Sequence, residues 1–174
     1  MQTDVIDSLI NEVFQTLGSP HMPDTPHLDA LFSSLQTPID NSAETESMIW
    51  HVWCSHEQPD AQTAMNDIMK AFDDGKIIQA DEALAELISR WPTWAEAWNK
   101  RATLRFVQER DVESLQDVVK TLAREPRHFG ALGGFGQIYL RLGEPHWTLL
   151  GFKKAIEINP NMARTMGDVI TDLE

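Results

Sequence analysis

The chain has 174 residues, of which 42% are hydrophobic: enough for one helical domain with a real core, and too many for wholesale disorder. Its formal charge of −13 is uneven, because residues 1–69 carry 11 acids and no Lys or Arg while residues 70–174 carry 16 acids and 14 bases. An acidic front half repels phosphate backbones and anionic lipid, so nucleic acid and membrane surfaces are excluded as expected partners and a cationic protein segment is favoured, unless the acids only solvate helix faces.

No apolar run approaches the ~18 residues that would span a bilayer. The first basic residue is Lys70, so neither a charged leader nor an Arg-rich presequence is expected, and the chain reads as cytoplasmic. Val5, Ile6, Leu9, Ile10, Val13, Phe14 and Leu17 form one continuous helical stripe ending at Gly18. A stripe of this kind needs a cover: the rest of the chain, a partner, or a second copy in a homodimer. It could also fold over a binding groove. Residues 18–26 hold three prolines and a glycine and read as a linker. Leu28, Leu31, Phe32 and Leu35 fit a short amphipathic helix that Thr37-Pro38 ends. Asn41 or Ser42 then caps a helix buried through Met48, Ile49, Val52 and Trp53, which Pro59 stops. Residues 1–59 are thus an N-terminal helical extension.

From residue 60 a period takes over. Pro92, Pro126 and Pro160 recur every 34 residues, and self-similarity at such a spacing means one small unit used repeatedly. Aligned on these prolines, units 61–94, 95–128 and 129–162 each read as two helices, broken near Gly75, Glu109-Arg110 and Gly143. The third unit carries Leu132, Phe135, Gly136, Tyr139, Gly143, Phe152, Ala155 and Pro160; the second carries Trp98, Ala102, Leu115 and Pro126; the first carries Ile68, Gly75, Ala80, Leu84 and Pro92. This pattern resembles the tetratricopeptide repeat (TPR) family. The stretches 28–32, 95–104 and 125–132 are further similar to short bacterial TPR proteins of mostly unassigned role. The resemblance implies an all-α TPR superhelix, an α-α solenoid of three helix-turn-helix repeats over residues 60–174. Residues 163–174 would form a short capping helix, with Asn161 as its cap and Ala163, Met166, Val169 and Ile170 on its buried side. Thr93 with Glu96 has the spacing of a capping box at the joint after Pro92.

The second unit departs from the family in placing Arg101, Arg105, Glu109 and Ser114 where Leu, Tyr, Gly and Ala are usual. A buried unpaired charge is too costly, so Arg101 and Arg105 must meet acids such as Asp67, Asp117 or Glu113, or lie on a wetter face.

In this family the first helix of each repeat lines a concave groove that holds a peptide or partner helix. Carried over position by position, the resemblance implies a groove of Asn99, Lys100, Thr103, Phe106 and Val107, continued by Gly130, Gly133, Gly134, Gln137, Leu140 and Arg141. Asn and Gln can pair with both backbone groups of a bound strand, while Lys100 and Arg141 suit a carboxylate. The family's carboxylate clamp is not expected, because its positions are Met65, Met69, Lys100, Gly130 and Gly134, of which only Lys100 is a suitable donor. Gly130, Gly133 and Gly134 each cost up to about 1 kcal/mol relative to Ala in a helix. Either a neighbouring helix or a partner backbone must approach them closely; for Gly136, at the family's small position, the neighbouring helix is the expected reason. Of the six tryptophans, Trp94 and Trp147 are expected to face solvent or a partner.

His51, Cys54 and His56 are the constellation nearest to metal ligation, but His56 lies off the face shared by the other two and a fourth ligand is missing, so no metal and no cofactor are expected. Cys54 stands alone, which rules out an intramolecular disulfide. Neither a Gly-rich phosphate loop nor a nucleophile motif is present, so no catalytic residues are expected. The expectation is a non-catalytic adaptor or scaffold that binds protein. The alternatives are a chaperone for secreted or assembling proteins with a dimerising N-terminal helix and, from another class, a metal or thiol enzyme around Cys54.

Overall fold

The computed structural model describes residues 2–18, 25–36 and 42–174. They form α1 (Gln2–Gly18), α2 (Pro26–Leu35), α3 (Ser42–Cys54), α4 (Pro59–Asp73), α5 (Ile77–Arg90), α6 (Ala95–Val107), α7 (Asp111–Leu122), α8 (Phe129–Leu142), α9 (Pro145–Ile158), a 3₁₀ turn (Pro160–Met162) and α10 (Ala163–Leu173). No strand occurs among the described residues, and α4/α5, α6/α7 and α8/α9 pack as pairs. The all-α, helix-hairpin class expected from the period is therefore present. The chain divides into two compact units, one of residues 1–21 and 55–126 and one of residues 22–54 and 127–174.

In the first unit the core is a layer of Ala61, Met65 and Ile68 from α4 against Ala80, Leu84, Leu87 and Ile88 from α5, closed by Ala97 and Leu104 of α6. Burying each large side chain removes it from water at a gain of about 1.5–3 kcal/mol. The α4–α5 turn is the expected one: Gly75 adopts a left-handed φ of 75°, and the Lys76 N–H donates to the Ala71 carbonyl. Between α6 and α7 the same left-handed position is held by Glu109, φ 59°, where glycine would be unstrained. The helix α1 packs on α7, burying Leu9, Ile10 and Val13, so the rest of the chain covers the middle of the N-terminal stripe.

Three expectations for this unit fail. Pro59 does not stop α3, which ends at Cys54; it opens α4 as the first helical residue, where its missing N–H has no cost. Thr93 and Glu96 do not make a capping box, since α6 starts one residue later with Trp94 as an uncapped N-cap residue. Trp94 does not face solvent either: it is buried in the α4–α5–α6 core beside the ring of His56. The joint after Pro92 is held instead through the Pro92 carbonyl, which accepts from Trp98 Nε1 at 3.0 Å and Arg124 Nε at 2.5 Å. The Arg101 and Arg124 guanidinium groups both lie over the Trp98 ring, and burial lowers the pKa of Arg124.

In the second unit α8 and α9 cross at closest approach where Gly136 faces Gly151 and Phe152. A Cβ on Gly136 would lie 2.4 Å from the Phe152 ring, and one on Gly151 would lie 2.8 Å from the Gly136 nitrogen. His128 caps α8 by accepting the Ala131 N–H at Nδ1 and stacks on Trp53, ring centroids 4.0 Å apart. The last segment is not capped as expected: Asn159 caps the 3₁₀ turn, α10 starts at Ala163, and Asn161 donates instead to Glu46 of α3 and accepts from Ser42. Ser42 is thus the first residue of α3 and hydrogen-bonds away from it, while Asn41, Pro38 and most of the proline-rich linker lie outside the described residues.

Gly136→Ala tests this crossing, because helix propensity and packing predict opposite signs. Ala should add up to about 1 kcal/mol in an open helix. Against Phe152 it should instead lower stability by about 1–3 kcal/mol, read as an earlier urea midpoint.

Candidate functional site

The predicted groove residues fall on α6 in the first unit and on α8 in the second. On α6, Asn99 is buried and donates from Nδ2 to Glu96 Oε2 at 3.1 Å, and Lys100 Nζ lies 2.9 Å from Glu96 Oε1. Glu96 itself is fully buried. A desolvated carboxylate needs such donors, so Glu96 fixes both neighbours and sets where the Lys100 ammonium sits. Thr103 is exposed, with its hydroxyl donating to the Asn99 carbonyl, and Phe106 is half-buried near the end of the helix.

Lys100 and Thr103 border a hollow of about 80 Å³ whose walls are Ile68, Met69 and Phe72 of α4, Leu84 of α5 and Leu104 of α6. An apolar pit with an ammonium and a hydroxyl at its edge can take up an aliphatic or aromatic side chain while the two polar groups meet backbone or carboxylate oxygens. Of the lining residues the sequence pattern singled out only Lys100 and Thr103 for partner binding, and it missed Met69 and Phe72 of the α4 wall. Their spacing of three residues, on the same helix face as Ile68, is the signal that would have found them.

On α8 the glycines divide. A Cβ on Gly130 would meet Trp50 of α3 at 2.5 Å, and one on Gly133 would meet Met166 of α10 at 2.6 Å. At these two positions the close neighbour is the protein's own side chain. Gly134 has nothing within 4 Å, and Gln137 and Arg141 are exposed. Trp147, expected at the surface, is half-buried against Tyr139.

The two arginines that break the repeat pattern are paired. Asp117 of α7 is buried and accepts from Arg101 Nε and Nη2, both at 2.8 Å, and from Arg105 Nη1 at 2.9 Å. Asp81 of α5 adds an ion pair to Arg110 at 2.7 Å and faces Arg105 Nε at 3.6 Å, too long for a hydrogen bond. Hydrogen bonds to Asp81 and Glu113 raise the pKa of Arg110. These charges hold α5, α6 and α7 together. Among the described residues no group of three or more His, Cys, Asp or Glu side chains is arranged to hold a metal ion, and no helix is long and apolar enough to cross a membrane.

Removing Asp117 takes the buried carboxylate from two half-buried guanidinium groups and leaves Arg105 only the longer Asp81 contact. Asp117→Ala should therefore cost about 3–5 kcal/mol in urea unfolding, whereas Arg101→Leu, Arg105→Tyr and Asp117→Ala together should restore most of that loss.

No family model matches the chain. A protein of Rhizobium etli described as TPR repeat-containing is 33% identical over 135 residues, which span 76% of this chain and 66% of that relative.

Proposed function

Because the chain belongs to the tetratricopeptide repeat family, a helical-repeat fold of protein–protein interaction, we propose that it is a non-catalytic adaptor whose α4–α6 hollow receives a side chain of a bound peptide or partner helix. The observation that carries this reading is the apolar pit walled by Met69, Phe72 and Leu104 with Lys100 and Thr103 at its edge. Lys100, held by the buried Glu96, supplies a positioned cation for a partner carbonyl or carboxylate. Asn99 acts one step behind, as a donor to Glu96. Phe106 extends the apolar face of α6. In the second unit, Gly134, Gln137 and Arg141 supply the contacts on α8; Gly130 and Gly133 are left to packing under Trp50 and Met166.

Thr103→Trp combined with Met69→Arg fills the hollow from exposed and half-buried positions. Partner capture from lysate, followed by titration of the captured protein, should weaken by about tenfold or more, with the unfolding free energy kept within about 0.5 kcal/mol. Equal capture by wild type and variant would remove the hollow from the reading.

The dimerising-chaperone reading draws on the rest of the N-terminal stripe, since Val5 is exposed and Ile6, Phe14 and Leu17 are half-buried. Its middle, however, is engaged by α7, which leaves a dimer through α1 only the flanks of the stripe. We expect light scattering to give a monomer. Deletion of residues 2–18 should cost stability by about 5 kcal/mol, from losing the burial of Leu9, Ile10 and Val13 against α7, without changing the oligomeric state.

A further inference from the structure

The first unit has a second, larger hollow of about 250 Å³ between α4 and α5, which shares only Ile68 with the one above. Small side chains at Ala64, Ala71 and Ala83 leave a trough between the two helices, with Leu87 and Trp91 adding apolar surface. Its polar lining includes Asp67 on α4 and Glu86 on α5. Two more exposed acids continue those faces: Asp60 lies two turns before Asp67, and Glu82 one turn before Glu86. Among the described residues none of these four carboxylates has an ion-pair partner, whereas Asp81 and Asp117 in the same unit are both paired.

We propose that this α4–α5 trough docks a cationic amphipathic helix of a partner protein, with its apolar stripe on the alanines and its Lys or Arg side chains on Asp60, Asp67, Glu82 and Glu86. Alanines along a cleft between two antiparallel helices permit the close axial approach of a third helix, as larger side chains would not. Charge selects the occupant. A second copy of this chain is a poor fit, because the chain carries −13 and α1, whose apolar stripe is partly exposed, holds acids and no base. Arg90, which stacks over Trp91 at 4.2 Å, is the single cation lining the trough and favours the C-terminal end of the docked helix beside it.

The probe is a synthetic helix of about 18 residues with leucines at i, i+3, i+4 and i+7 and lysines elsewhere, titrated calorimetrically into the full chain beside a version with glutamates for lysines. The lysine peptide should bind one per chain and weaken as salt is raised, and the glutamate peptide should not bind. Asp67→Lys with Glu86→Lys should weaken binding by about tenfold or more, while Asp168→Lys with Asp172→Lys, the same charge change at exposed positions of α10, should leave it within about twofold. All four substitutions are at exposed positions, and helical circular dichroism checks that each variant is folded. Equal loss in both pairs would mean diffuse attraction to an acidic protein and would overturn the proposal, as would binding of the glutamate peptide or absence of saturable binding. Loss of binding in Thr103→Trp would move the peptide to the smaller hollow. A concentration-dependent dimer of the chain that Asp67→Lys with Glu86→Lys abolishes would assign the trough to self-association.

Discussion

The first unit depends on the rule that a desolvated carboxylate must be surrounded by donors. Asp117 and Glu96 are buried at 1% and 0% exposure, and each collects the side chains around it: Arg101 and Arg105 in one case, Asn99 and Lys100 in the other. Breaking either set leaves an isolated charge in a medium that solvates it poorly, at a cost larger than most apolar substitutions. Arg105 meets the α7 acid while its Nε faces the α5 acid, so the register of α5, α6 and α7 is set by charge as well as by shape. Glu96 does the same for the candidate hollow, since it determines where the Lys100 ammonium stands.

In the second unit the constraint is closeness. Gly136 and Gly151 let α8 and α9 meet at backbone distance, and Gly130 and Gly133 let the Trp50 ring and the Met166 methyl approach the α8 backbone closely. The helix gives up propensity at each of these positions and recovers it in contact. Gly134 is the exception, with no neighbour to explain it, and it lies on the strip that also presents Gln137 and Arg141.

Helix pairing and the Gly75 and Gly143 turns were legible in the sequence because each follows from a local periodicity, and the cost of a buried unpaired charge narrowed Arg101 and Arg105 to acid partners or a wetter face, of which the structure has the acid partners. The ends of the helices were not. Thr93 and Glu96 have the spacing of a capping box, but the burial of Glu96 and the demands of Asn99 and Lys100 outweigh about 1 kcal/mol of capping energy. Trp94 was misread for a related reason: sequence position next to a turn suggests exposure, while the space beside His56 that receives the ring is made by three helices. The walls of the smaller hollow come from α4, α5 and α6 together; the spacing of Met69 and Phe72 marks one wall on α4, but the meeting of the three helices is not encoded in any single one of them.

Neither compact unit is a continuous stretch of chain, since residues 22–54 interrupt the first and residues 55–126 interrupt the second. During synthesis α1 emerges roughly a hundred residues before α7, the helix that buries it. Until then Leu9, Ile10 and Val13 lack the cover that α7 gives them, in a segment, residues 1–69, that holds acids and no Lys or Arg. That charge keeps growing chains apart from one another during the interval when the stripe would otherwise promote their aggregation. The acid-rich front half thus carries like charge beside the stripe, which opposes association of two such stripes whenever the α1–α7 contact, distant in sequence, is open.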